Sequence, residues 1–261
     1  MKIKFLNVSK SFNRRNTSSA IDVLRDLSFE VKESEFFCIV GPSGCGKSTI
    51  INLVAGFFSP DSGEVSVDGK VVFEPSASRT VVFQEYALFP WKTVAENIEF
   101  GLKCANVDKE QRLQMVKKLA EKVRLEQFLD RYPDELSGGM KQRVAIARAL
   151  AVKPNIILMD EPFASLDQQT RDILQEELLG VQKEFSQTIL FVTHNIEEAL
   201  FLGDKVLVLS HRPAHVKSLV NIPFSKPRSP DIRNDPQFLK LKHEIWHSLR
   251  KEVILFSPHQ K

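Results

Sequence analysis

Three observations predict an α/β protein with a mainly parallel sheet, an N-terminal antiparallel layer and an inserted helical lobe. Short apolar runs recur at residues 36–40, 81–83, 156–159, 189–192 and 206–209, with stretches of helical spacing between them. Segments 3–8, 24–31 and, after the first helix, 63–72 read as strands parted by Asp-Gly and Asn-rich turns, which predicts a small antiparallel β layer. From about residue 90 to 150 the pattern is helical, which predicts the lobe.

In chain order, the run at 36–40 follows Glu35 and reads as a buried parallel strand. Residues 48–55 have helical spacing, and Ile50, Ile51, Leu53 and Val54 can face a sheet. The lobe is read as helices at 94–102 and 109–123, then one capped by Ser137 and running to about 151 with Val144, Ile146, Ala147 and Leu150 on its apolar face. The tail from about 222 holds Pro223, Pro227, Pro230 and Pro236 and reads as an extended surface segment. A last helix is expected to lay Leu239, Leu241, Ile245, Trp246 and Leu249 on the body of the protein. The expected domains are residues 1–221, with the lobe at about 90–150 inserted in a core, and the C-terminal segment 222–261.

Two segments read phosphate. Gly41-Pro42-Ser43-Gly44-Cys45-Gly46-Lys47-Ser48-Thr49 fits G-x-x-x-x-G-K-[ST], the P-loop pattern, in which glycines allow tight turns that point backbone N–H groups at phosphate oxygens. Lys47 adds positive charge and Ser48 offers a Mg²⁺ ligand. An apolar strand before the loop and a helix after it are the setting the pattern needs. Leu136-Ser137-Gly138-Gly139-Met140 places a second helix amino end, and with it a second anion site. Asp160 and Glu161 close an apolar strand, which puts two carboxylates beyond the carboxyl edge of a parallel sheet, where ligands bind in open α/β folds.

Composition bounds the function. With 261 residues and 43% hydrophobic content the chain can bury a substantial core. Lys+Arg 36 against Asp+Glu 33 gives a net charge of +3, too balanced for nucleic acid as the main partner. The N-terminus lacks the apolar core of a signal peptide, and no run approaches the roughly 20 apolar residues that span a bilayer, so a cytosolic protein is expected. Cys38, Cys45 and Cys104 lack metal-ligand spacing and are expected to be free thiols, with the Cys45 thiolate favoured by the positive field of the phosphate loop. His243-Glu244-Ile245-Trp246-His247 matches the zinc-protease pattern H-E-x-x-H, but no third ligand follows, and a surface helix is the better reading.

In order and type, the P-loop, Leu-Ser-Gly-Gly followed by Gln142 and Arg143, and Asp160-Glu161 resemble the ATP-binding cassette (ABC) family. That resemblance implies a P-loop ATPase with a RecA-like sheet, using ATP and Mg²⁺. It implies Lys47, Gln84, Glu161 and His194 as catalytic residues, and Ser48, Gln84 and Asp160 around the metal. It places Phe12 against adenine where the family usually has a tyrosine, residues 41–49 around the phosphates, and Ser137, Gly138, Gly139 and Asp167 at a nucleotide sandwiched in a homodimer. Asn195 stands where acidic residues are frequent in the family. Phe89-Pro90-Trp91, His211-Arg212-Pro213-Ala214 and the segment from Asp235 to Trp246 resemble the nitrate, sulfonate, taurine and bicarbonate importer subfamily. The partners this implies are a transmembrane permease and, indirectly, an extracytoplasmic solute-binding protein, with the chain held peripherally at the cytoplasmic face of the inner or plasma membrane. The alternative is a soluble single-cassette scaffold ATPase uncoupled from transport.

Overall fold

A computed structural model of the chain describes residues 1–13 and 20–256, so the last five residues of the expected C-terminal segment lie outside the described residues. The chain divides into two units, Met1–Pro75 with Thr188–Lys261, and Ser76–Gln187. In chain order, the first part carries β1 (Ile3–Asn13), β2 (Ala20–Val31), β3 (Phe36–Val40), α1 (Lys47–Ala55), β4 (Ser62–Val67) and β5 (Lys70–Val71). Then come β6 (Arg79–Val82), α2 (Val94–Cys104), α3 (Lys109–Lys122), α4 (Gly138–Ala151), β7 (Ile156–Asp160) and α5 (Gln168–Phe185). The chain finishes with β8 (Thr188–Thr193), α6 (Ile196–Leu202), β9 (Lys205–Leu209), β10 (Val216–Asn221) and α7 (Pro236–Phe256).

In the first unit, β1 runs antiparallel to both β2 and β4, and the layer has the order β2-β1-β4-β5. Asp68 and Gly69 both take positive φ, 51° and 74°, which turns β4 tightly into β5 as a two-residue hairpin requires. The second sheet of this unit centres on β3, parallel to β8 on one side and to β9 on the other, with β10 antiparallel at the β9 edge. All five residues of β3 are buried, at about 2 kcal/mol for each large side chain. Ile50, Ile51, Leu53 and Val54 of α1 are buried as their spacing predicts. In the second unit β6 and β7 pair in parallel. Around them α2 packs on α3 and α4, and a capping box of Thr93 and Glu96 opens α2.

Three features depart from the sequence reading. β10 is an edge strand of half-exposed polar and apolar residues, so a search for apolar runs passes over it. The extended tail is interrupted by a 3-10 turn at Pro230–Asn234. On α7 the residues facing the protein are Phe238 and Ile245, two turns apart on one stripe, while Leu239 and Trp246 remain 42% and 45% exposed. Ile245 is buried and Leu241 and Leu249 are half-buried as expected, so the expected stripe holds, and only Leu239 and Trp246, about 100° of rotation further round the helix, turn to solvent. Among the described residues no helix is long and apolar enough to cross a membrane.

Candidate nucleotide-binding site

The phosphate loop begins where buried β3 ends. A Cβ on Gly41 would lie 2.8 Å from Cys45 Sγ and 3.1 Å from Leu209 Cβ, so the loop packs down on the sheet with no room for a side chain. Gly44 and Gly46 take φ values of +74° and +115°, which L side chains rarely adopt, and around Gly44 there is open space. Gly46 then starts α1 as an N-cap with no side chain, so the positive end of the helix dipole faces the glycine turn unobstructed by a capping side chain. Lys47 is 5% exposed, and its ammonium donates to the Gly41 and Pro42 carbonyls at 3.1 and 3.3 Å, folding back over the loop. Ser43 and Ser48 are exposed, and Pro42 and Thr49 are half-buried. A helix end capped by glycine rather than by a side chain, an open glycine turn and a lysine held across them fit a chain of phosphates.

Cys45 corrects the thiolate expectation in part. It is a free thiol, as are Cys38 and Cys104, but it is fully buried under Gly41 rather than presented to the phosphates. Its backbone N–H is used within the loop, donating to Pro42 O at 3.2 Å.

The same unit carries two other predicted residues. Phe12 on β1 meets Phe58 edge-on at 5.3 Å, with the Lys10 ammonium 5.5 Å from its ring centre. Its ring is half-exposed, as a base-stacking face requires. His194 is exposed just after β8, in a tightly built corner. Buried Thr193 donates to the buried Glu198 carboxylate at 2.6 Å and accepts from the Asn195 N–H at 3.0 Å. Asn195 Oδ1 accepts from the N–H groups of Glu197 and Glu198 and so caps α6. Asn and Asp cap helices equally well, which accounts for an asparagine where the family resemblance leads one to expect an acid.

The second unit holds the remaining predicted residues. Gln84, just past β6, and Asp160, at the end of β7, line one open depression of about 460 Å³ with Phe83, Glu85 and Ala87. Glu161 follows in the left-handed region at φ 46°, a conformation that costs a non-glycine residue about 1 kcal/mol and turns it away from the strand direction. Mg²⁺ keeps several waters and takes one or two carboxylates besides substrate phosphates, and a half-buried aspartate that shares a depression with a glutamine amide fits that demand.

Ser137 is exposed and caps α4, its Oγ accepting from Met140 N at 3.3 Å. Ser137 and Gly139 line a second depression of about 330 Å³, with Arg143 and Thr170 among its walls. A Cβ on Gly139 would meet Thr170 Cγ2 at 2.6 Å. Thr170 in turn donates its backbone N–H to Asp167 Oδ1 at 2.9 Å, and that bond caps α5 and lowers the Asp167 pKa. The structure thus brings Ser137, Gly139 and Asp167 into one neighbourhood through Thr170, a residue the sequence reading passed over. Its signal was present, since an aspartate before an amphipathic stretch marks a helix start. A cavity of about 670 Å³ elsewhere in this unit, walled by Leu102, Val107, Met115 and Val152, contains none of the predicted site residues.

On α7, His243 and His247 are exposed, with ring centres 6.5 Å apart, and His247 packs edge-on against Trp246. Among the described residues no three His, Cys, Asp or Glu side chains are grouped to hold a metal ion.

Comparison with known proteins decides the family. Residues 24–164 match the family described as ABC transporter. The chain is 46% identical over 254 residues to an uncharacterized ABC transporter ATP-binding protein, MJ0412, of Methanocaldococcus jannaschii, covering 97% of this chain and 93% of that one. The chain belongs to the ABC transporter family. As a cassette of that family it is an ATPase that uses ATP with Mg²⁺. It is also similar to the nitrate import ATP-binding protein NrtD of Synechococcus elongatus, at 44% identity over 85% of this chain and 82% of that protein. Among solved structures, the dimeric post-hydrolysis state of the cassette MJ0796 bound to ADP and Pi superposes with a TM-score of 0.74 at 31% identity, covering 85% of this cassette and all of that chain.

Proposed function

We propose that this cassette is the ATP-hydrolysing subunit of an importer, working as a head-to-tail dimer that energises uptake of a small anion, such as nitrate, a sulfonate or taurine, through a separate membrane permease. The observation that carries the reading is the amino end of α1, which has no side-chain cap behind an open glycine turn and has Lys47 lying across it. Residues 41–49 would hold the phosphates and Phe12 the adenine. Ser48, Gln84 and Asp160 would hold Mg²⁺, which supplies positive charge to the phosphate oxygens. Glu161 would orient the attacking water, and His194 would contact the γ-phosphate. Phosphoryl transfer depends mainly on positioning and on stabilising charge, and these residues supply both.

Ser137, Gly138, Gly139 and Asp167 would complete the nucleotide site of the partner protomer. Support comes from the gathering of Ser137, Gly139 and Asp167 around Thr170 and from the dimeric state of the similar MJ0796 cassette. The import direction is supported by the named role of the NrtD relative. Phe89, Trp91 and Phe100 form an aromatic cluster in which Trp91 is 71% exposed, a surface suited to the permease. Buried Asn97 fixes that surface, accepting from Phe89 N and donating to the carbonyls of Phe89, Lys92 and Thr93. In this reading residues 1–221 are the ATPase domain, docked on the cytoplasmic face of the membrane through the permease, and a solute-binding protein delivers the anion on the other side.

The test is the solution mass of Glu161→Gln with and without MgATP, by light scattering. We expect a monomer that becomes a dimer on adding MgATP, with turnover lost. A variant that hydrolyses ATP at the normal rate would remove Glu161 from this role, and a mass unmoved by bound MgATP would count against the sandwich.

A further inference from the structure

Two consecutive residues after Gln84, Tyr86 and Ala87, take left-handed backbone conformations, φ 60° and 47°. A bulky residue there is uncommon, and two in succession persist only where the surroundings hold them. Arg148 of α4 provides that hold. Its guanidinium donates to the Ala87 carbonyl at 2.6 Å and to the Tyr86 carbonyl at 3.0 Å, and lies 5.6 Å from the Phe89 ring centre. The turn so fixed aims the Tyr86 ring at two other loops. Its hydroxyl is 2.8 Å from Ser165 Oγ, in the loop that leads to Asp167. A Cβ on Gly138 would lie 3.2 Å from the same hydroxyl and 3.3 Å from Leu166 Cδ2, so the amino end of α4 is closed against the tip of the ring. One side chain therefore touches the glutamine loop it belongs to, the Ser137-Gly138-Gly139 turn, and the loop carrying Asp167.

We infer that Tyr86 is a positioning residue: it ties the glutamine loop to the two segments that complete the partner's nucleotide site, so that a shift at Gln84 is felt at Ser137 and Asp167 of the same chain. The physical requirement for such coupling is a contiguous set of contacts with a defined alternative state. The Tyr86–Ser165 hydrogen bond is the contact that can be made or broken without disturbing the ring packing. A Cβ on Gly138 would press on the tyrosine tip, and Arg148 keeps the turn in the conformation that delivers the hydroxyl. The effect on turnover rests on the ATPase dimer proposed above, whereas the effect on the two loops does not.

The experiment is Tyr86→Phe, which removes one hydroxyl and keeps the ring. In the nucleotide-free protein, amide hydrogen exchange followed by mass spectrometry should rise about 2- to 10-fold at residues 137–140 and 164–168, the scale of one lost hydrogen bond, while the melting temperature stays within a few degrees. Unchanged exchange in both segments overturns the inference. In ATP turnover, kcat should fall about 3- to 10-fold with KM for ATP unchanged, Ser165→Ala should fall by the same factor, and the double variant should fall no further. Falls that multiply in the double variant would show that the two residues act separately and also overturn it. If the unaltered chain hydrolyses no ATP, the ATPase reading fails instead, and the exchange data still decide the role of Tyr86.

Discussion

Cys45 shows how far a motif determines a single residue's surroundings. Its neighbours in sequence are phosphate-facing amides, which argues for a stabilised thiolate, yet its side chain points the other way, into the space that the missing Cβ of Gly41 leaves open. Cys38, in the middle of β3, is equally buried, and burial raises its pKa well above the ordinary thiol range. Only Cys104, at the end of α2, is exposed. A soluble thiol reagent at neutral pH is therefore expected to modify Cys104 first. Cys38 and Cys45 should react on the order of 100-fold more slowly, because each waits for a local opening of the fold. Mass spectrometry of the labelled peptides over time measures this, and ATPase activity should follow Cys45 modification and be indifferent to Cys104. Equal rates at Cys45 and Cys104 would mean that the loop opens far more often than its packing implies. A similar lesson holds at Asp167 and Asn195. Each was read for a role at the nucleotide or for a departure from the family pattern, and each also caps the helix that follows it. One side chain then serves local folding and the site together.

Helix α6 is held near both ends by parts of the chain remote in sequence. Its amino end sits beside His194 under the Asn195 cap, and Lys242 of α7 forms an ion pair with Glu197 in its first turn. At its carboxyl end Arg228, 6% exposed, donates to the carbonyls of Leu200, Phe201 and Gly203 at 3.1, 2.7 and 2.8 Å, and also to Phe224. Carbonyls at a helix end lack intrahelical partners, and a buried cation both satisfies them and matches the dipole. Replacing Arg228 with Met leaves those carbonyls buried and unbonded, and should cost about 3 kcal/mol in urea unfolding with little change in the slope. A loss under about 0.5 kcal/mol would mean that water replaces the guanidinium freely. This clamp was not legible in the sequence. The proline-rich tail could be read as extended from its composition, but which of its residues turns inward depends on where α6 ends in space. By contrast β3, β7, β8 and β9 were legible, because buried parallel strands are continuous apolar runs. Between these cases stand α7, whose helical nature and buried Ile245 followed from spacing while the exposure of Leu239 and Trp246 did not, and β10, whose half-exposed edge position erases the pattern. The candidate site follows the same division. Residues that must be glycine, lysine or carboxylate for chemical reasons announce themselves, whereas Thr170, Arg148 and Tyr86 act through geometry that only the folded chain reveals.

At the scale of the whole molecule, the proposed dimer makes a demand that no property of a single chain can meet. In a two-fold assembly of this kind each nucleotide takes Lys47 from one protomer and Ser137 from the partner, so the two sites are related by symmetry and share no residue. Lys47→Ala removes the charge that lies across the phosphate loop, and Ser137→Arg fills the end of α4 with a long cation. In either variant alone both sites of any dimer would be defective, and neither should hydrolyse ATP. When the two variants are mixed, a hybrid dimer collects both defects in one site and leaves the other with an intact Lys47 and an intact Ser137. Random pairing makes half of the dimers hybrids, each with one sound site of two, so the mixture should recover up to about a quarter of the normal rate. The measurement is ATP turnover at fixed total protein as the ratio of the variants is varied, and it should peak at equal amounts. Turnover that stays at zero across all ratios would mean that Lys47 and Ser137 serve ATP from within one protomer, and the shared-site dimer would have to be abandoned.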